Sequence, residues 1–180
     1  MSMALNNRAL GASLATKRGR AFEEILEEHC ETLEKTGRAK IHKVDPPSKV
    51  VGRGPKAKVI YQANPFLDFV GSWTERDNRS IMLEAKSTAE HRLAIDTKKG
   101  GLTTAQIDSM RLWARAGTIT ALLWFRSDLQ EMKVVNFETI DFAVACGNRS
   151  LRWDDFQPCT RGGSPFLRFD FLAELDRLNG

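Results

Sequence analysis

The sequence predicts a single α/β domain over residues 1–180, a mixed β-sheet flanked by helices. Three observations point to it. Strand-like runs and helical stretches are interspersed along the chain rather than segregated. One run, Thr118–Phe125, is apolar on both faces, as a strand buried inside a sheet requires. The length of 180 residues, with 42% hydrophobic and 28% charged, suits one domain with a real core and excludes disorder as the dominant state. No repeat or low-complexity linker divides the chain.

The elements follow in order. Residues 1–18 are expected to form a flexible basic N-terminal arm. A helix is predicted from Gly19 to Lys35, because Phe22, Ile25, Leu26, His29 and Leu33 recur at helical spacing. Glu24, Glu27, Glu31 and Glu34 fall on its other side. Glu23 lies beside Leu26 and Cys30 at the margin of the stripe, so it is the glutamate best placed to face inward. His29 on the stripe reads as a core histidine. Strands are predicted at Lys40–Val44, Lys58–Gln62 and Leu67–Gly71. Residues 44–58 form a basic loop dense in proline and glycine. Ser80–Lys86 is a strand reached through the polar turn Thr74–Arg79. The next helix, Thr104–Ala116, is closed by Gly117. Thr118–Phe125 is expected to be the central strand, followed by a strand at Met132–Phe137 and a helix at Glu138–Cys146. A further strand at Phe166–Phe171 and a short helix complete the chain.

The net charge of +4 is unevenly spread. Residues 1–20 hold four basic residues and no acid, and residues 35–58 hold eight against Asp45 alone. From 125 onward there are seven basic and nine acidic residues. Such a bias fits a polyanionic partner, although a solvated surface has the same composition. No uncharged apolar run approaches the ~20 residues of a membrane span, and Met1–Leu14 lacks the order of a secretion signal. Cys30, Cys146 and Cys159 make neither a metal quartet nor a disulfide framework, so a cytoplasmic protein in a reducing compartment is expected, with no membrane partner. His42 and His91 are isolated and lack zinc-ligand spacing.

The sharpest chemical feature is Asp68, followed by Glu84-Ala85-Lys86. Side chains alternate along a strand, so Met82, Glu84 and Lys86 share one face, and Ile81, Leu83 and Ala85 take the other. Charges on a strand flanked by apolar residues are costly to bury unless they pair or hold a metal. A hairpin would bring Asp68 beside Glu84. Two converging carboxylates suit Mg²⁺, and a neighbouring lysine can orient water or stabilise charge on a phosphate. This is the D…ExK arrangement of metal-dependent phosphodiesterases. On spacing alone, the same residues also read as a cross-strand ion pair. Gln106 likewise has two readings, since Thr103-x-x-Gln106 fits a capping box.

Taken in order, several segments add to this pattern. Gly19-Arg20-Ala21-Phe22-Glu23-Glu24 opens the first helix. Gly37-Arg38-Ala39-Lys40-Ile41-His42-Lys43, Pro46-Pro47, Tyr61-Gln62-Ala63, Asp68-Phe69-Val70-Gly71, Glu84-Ala85-Lys86-Ser87-Thr88 and Gln106 follow. Over residues 7–137 the chain resembles the RecU-type Holliday junction resolvases, a branch of the restriction-endonuclease-like PD-(D/E)xK nucleases. The resemblance implies a restriction-endonuclease-like core and a homodimer that nicks four-way DNA junctions symmetrically, using Mg²⁺ or Mn²⁺ and no small-molecule cofactor. It implies Asp68 and Glu84 as metal ligands and Lys86 as the residue that positions water or stabilises the transition state. Gln106 matches the family's active-site glutamine, and Glu23 its helix-1 glutamate at the edge of the metal site. Two departures stand out. Asn64-Pro65-Phe66-Leu67 lacks the family's metal-site threonine, and residues 44–58 make only a short version of its stalk.

DNA backbone contacts are expected from Arg8, Lys17, Arg18, Arg20, Lys43, Lys49, Arg53, Lys56, Lys58, Lys98 and Lys99. None is placed to read bases. The apolar tail from Trp153 to Phe171 is a candidate for the dimer interface.

Overall fold

The spacing of Phe22, Leu26, Cys30 and Leu33 builds the longest element, the helix α1 (Ser2–Lys35). These four side chains are buried, while Glu24, Glu28, Glu31 and Glu34 are exposed. The structure, a computed structural model, describes residues 2–45, 48–51, 58–61, 67–98, 100–160 and 168–179; side chains are described from Lys17 onward, except at 49, 50 and 58–61. Residues 2–18, expected as a flexible arm, continue α1 as helix.

After α1 come β1 (Ala39–Lys43), β2 (Ser48–Val51), β3 (Lys58–Tyr61), β4 (Phe69–Trp73) and β5 (Arg79–Thr88). Then β6 (Arg92–Thr97) and the two-residue β7 (Leu102–Thr103) lead into α2 (Thr104–Arg115). The chain continues through β8 (Ile119–Arg126), β9 (Glu131–Asn136), α3 (Phe137–Ala145), β10 (Ser150–Arg152) and α4 (Phe171–Asn179).

The main sheet is ordered β1-β4-β5-β8-β9. It is mixed: β5 and β8 run parallel, and the other neighbours are antiparallel. All eight residues of β8 are buried, as its sequence requires, but the middle strand is β5 rather than β8. Between β1 and β4, Gly71 is obligatory, because a Cβ there would run into the Lys40 carbonyl oxygen. Part of the basic loop 44–58 is a hairpin, with β2 and β3 paired antiparallel; residues 46–47 and 52–57 lie outside the described residues. A second sheet, β10-β6-β7, was not anticipated, although Leu93 and Ile95, both buried, alternate with the less buried Arg92, Ala94 and Asp96.

The main sheet separates two apolar cores. On one face, α1 and α4 cover Ile81, Leu83, Ala85, Leu123 and Phe125, with Phe22 stacked on Phe125 at 4.8 Å. On the other, α2, α3 and the second sheet cover Met82, Leu122, Trp124 and Val135. The tail joins these cores instead of standing free. Trp153, Cys159, Phe169 and Phe171 are all buried within the chain, so they are not available as a dimer interface. The expected strand Phe166–Phe171 is replaced by the start of α4 at Phe171, with residues 161–167 outside the described ones. His29 is a core histidine that ties this tail down: Phe169 N–H donates to its Nε2 at 3.0 Å. Among the described residues, the most exposed large hydrophobics are Leu112 on α2 and Phe142 on α3. No described helix is long and apolar enough to cross a membrane.

Candidate active site

The β4–β5 hairpin sets the site. Its register pairs Phe69 with Leu83, which places Asp68, just ahead of β4, beside Glu84. Asp68 is locked by an unusual partner: its Oδ2 accepts the Ala85 N–H at 2.9 Å. β4 begins at Phe69 rather than Leu67, and the Asp68 side chain takes the place of a further ladder bond at this point.

Glu84 is 1% exposed, surrounded by the core residues of the α2 face. Lys86 lies two residues on along the same face, with Nζ 2.6 Å from Glu84 Oε1 and its side chain 22% exposed. Gln106 Nε2 donates to the same Glu84 oxygen. The two readings of Gln106 are therefore both realised. Its Oε1 accepts Thr103 N–H at 3.0 Å, and Thr103 accepts from the Gln106 N–H, which completes a capping box at the start of α2. The cap fixes the amide so that its NH₂ group can face only Glu84. At the other end, Gly117 closes α2 with φ +84.

Charge within this cluster does not balance. Two carboxyl groups lie within hydrogen-bonding reach of one another, and one ammonium faces them. Burial, reinforced by the Asp68 charge and only partly offset by Lys86, pushes the Glu84 carboxyl up to about 8. Such a pair needs either a shared proton or a cation between its oxygens. Hard oxygen donors at a half-open position, already oriented by Ala85 N–H and Gln106, fit a divalent cation such as Mg²⁺. Two protein ligands are what Mg²⁺ commonly takes, and no cluster of three His, Cys, Asp or Glu side chains occurs among the described residues.

Glu23 stands apart from this cluster. Its carboxylate pairs with Lys43 Nζ at 3.0 Å, and Glu27 meets the same ammonium at 2.7 Å. The hydrogen bond to Glu27, with Glu23 beside it, raises the Lys43 ammonium well above the ordinary lysine range, which keeps it charged but engaged. Of the expected DNA contacts, Lys17, Arg20 and Lys98 are exposed. Arg18 lines an open crevice with Phe22, Phe125 and Gln130, and its Nε is buried without a hydrogen-bond partner. Arg53, Lys56 and Lys99 lie outside the described residues, as do the side chains of Arg8, Lys49 and Lys58.

Residues 17–162 match the sequence pattern of the family described as Recombination protein U, RecU. The chain belongs to the RecU family. Its five-stranded mixed sheet flanked by helices is the restriction-endonuclease-like core that membership implies. Among solved structures, it is similar to Hjc of the archaeal hyperthermophile Archaeoglobus fulgidus, a Holliday junction resolvase. That likeness has 13% identity and a TM-score of 0.39, and covers 64% of this chain and 77% of Hjc. No curated protein matches the sequence. Within the RecU-family match lie all five side chains expected at the site, and four of them, Asp68, Glu84, Lys86 and Gln106, are joined by the contacts above.

Proposed function

We propose that this chain is a Mg²⁺-dependent, structure-selective endodeoxyribonuclease, a Holliday junction resolvase acting in the cytoplasm. The Asp68–Glu84 pair, in which Glu84 is buried and Lys86 and Gln106 meet the same Glu84 oxygen, carries this reading. Asp68 and Glu84 are the residues that would hold Mg²⁺ or Mn²⁺. When bound, the ion supplies Lewis-acid polarisation of the phosphodiester and acidifies coordinated water. The protein groups prepare the rest. Ala85 N–H aims Asp68, and Gln106, itself held by Thr103, aims Glu84. Lys86 reaches toward solvent from a fixed strand, where its ammonium can orient the attacking water and stabilise charge developing on the phosphate. Glu23 keeps Lys43 charged at the neighbouring edge rather than entering the carboxyl pair.

The positive residues of α1, Lys17, Arg18 and Arg20, would guide the DNA backbone toward this cluster. Paired symmetric nicks need two such sites, so the active form is a homodimer. Its apolar contact is drawn from Leu112 and Phe142, each next to the Arg111–Asp141 pair that ties α2 to α3 at 2.5 Å.

The test is a nicking assay on a labelled four-way junction and a linear duplex of equal length. With Mg²⁺, the junction is nicked in preference, and Asp68→Asn or Lys86→Ala abolishes nicking while junction binding persists. Equal cleavage of both substrates removes the junction selectivity and points to a duplex or flap nuclease. Wild-type cleavage by Asp68→Asn removes the active-site assignment. Junction binding without any metal-dependent cleavage points to a non-catalytic recombination protein.

A further inference from the structure

The unanticipated sheet β10-β6-β7 carries an arrangement that packing alone does not explain. Its inner face is apolar: Leu93, Ile95, Leu102 and Leu151 are buried. Its outer face, at the end away from β7, opposes Arg92 directly to Arg152. Trp153 N–H donates to His91 O at 2.8 Å and Ile95 N–H to Arg149 O at 3.1 Å, so the bonded pairs of this ladder fall at the odd positions. Arg92 and Arg152 therefore form a pair without mutual backbone hydrogen bonds, the type in which facing side chains come closest.

Two like charges at that position destabilise a sheet. Neither arginine has a carboxylate partner among the described residues. Arg92 donates only to the Ser150 hydroxyl, at 3.0 Å, and both side chains are exposed. Of the nearby acids, Asp96 pairs with Arg149 at 2.9 Å, and Glu90, Asp154 and Asp155, all exposed, form no ion pair with either arginine among the described residues. Between the arginines and the Asp96–Arg149 pair, the outer face carries only Ala94 and Ser150, small side chains that leave the surface open.

Chain connectivity links this face to the site. β6 follows the Glu84–Lys86 strand, and β7 runs straight into the Thr103–Gln106 cap that touches Glu84. At ~3.3 Å per residue, the arginine pair stands on the order of 15 Å from Thr103. That span equals about four base pairs of duplex, at ~3.4 Å each. We infer that Arg92 and Arg152 together grip a DNA backbone phosphate on the arm leaving the active site, a planar, bidentate-capable clamp for an anion that relieves their mutual repulsion. This clamp rests on the nuclease reading above and adds a second contact region to it.

The experiment measures binding of a fluorescein-labelled four-way junction in EDTA by anisotropy over a salt series. It compares wild type, the double variant Arg92→Gln/Arg152→Gln, and Arg177→Gln as a control for losing a positive charge elsewhere. The double variant is expected to bind roughly tenfold more weakly at 0.1 M salt, with the slope of log K against log salt shallower by about 1. Its melting temperature should equal or exceed that of wild type, because a repulsion is removed. The control should match wild type. A double variant with unchanged affinity and slope overturns the clamp while leaving nicking by wild type, and with it the nuclease reading, intact. A wild type that neither binds nor nicks the junction overturns both.

Discussion

Both faces of the main sheet are covered, one by α1 and α4 and the other by α2, α3 and the second sheet, yet they hold different chemistry. Behind β5, Ile81, Leu83 and Ala85 meet Phe22 and Leu26 in a core of apolar side chains. In front, Met82, Glu84 and Lys86 alternate with them on the same strand, and Glu84 is as buried as any core residue. One strand thus serves both purposes, since successive side chains point opposite ways. The α1 face holds the strand rigid. The α2 face uses that rigidity to hold charge where burial disfavours it. Substitutions on the two faces should therefore separate stability from catalysis.

The largest effect expected is on the charged face. Asp68→Asn should reduce Mg²⁺-dependent nicking by about 10³-fold or more, while raising the melting temperature of the metal-free protein by relieving the carboxyl–carboxyl contact. Leu26→Ala, on the opposite face, should cost about 2–5 kcal/mol in chemical denaturation, with nicking per folded molecule unchanged. A fall in activity there, beyond the loss of folded protein, would break the division between the faces.

Gln106 sharpens the comparison, because it belongs to both a cap and the site. Gln106→Leu should lower nicking by about 10–100-fold, the usual effect of losing a group that orients a ligand. Thr103→Ala removes the cap's hydroxyl acceptor and should cost about 1 kcal/mol of stability with a smaller loss of nicking. If the two variants nick alike, the Gln106 contact with Glu84 has no catalytic weight.

The smallest effect lies on the apolar face, at His29. Burial lowers its pKa below the ordinary imidazole value of 6.5, only partly offset by its bond to the Ile25 carbonyl. In the folded protein Nδ1 donates to Ile25 O at 2.7 Å and Nε2 accepts from Phe169, an arrangement that only neutral imidazole allows. Its contribution is complete above pH ~6.5 and is lost as pH falls through the lower folded value. Urea denaturation should show lower stability at pH 5 than at pH 7.5, and His29→Gln should shrink that difference by about 1 kcal/mol.

Much of this was legible in the sequence because the signals were local. The Phe22–Leu33 stripe, the Thr103–Gln106 cap and the Gly117 stop depend on short spacings, and each stands as expected. Asp68 and Glu84 could be matched because a hairpin links them, so their register follows from one turn, closed by Asp77 and Asn78 in the left-handed conformation. Long-range placement was harder. β8 was expected at the centre from its apolarity, but apolarity reports burial on both faces and not strand order. The short strands β6, β7 and β10 gave too few residues for a period to emerge, and β10 pairs with β6 across a large sequence separation. The tail from Trp153 to Phe171 looked like a free apolar surface, because nothing in its own sequence reveals His29 and Phe125 as its partners. Glu23 was placed correctly at the edge of the α1 stripe, but its partner Lys43 lies on a different element.

The central claim, that Asp68 and Glu84 together hold a divalent cation, is tested most directly by titrating Mn²⁺ into the protein without DNA and following it by calorimetry. Wild type should bind the ion at a site that the Asp68→Asn/Glu84→Gln double variant lacks, with both proteins folded by circular dichroism. Equal Mn²⁺ binding by a folded double variant would contradict the account.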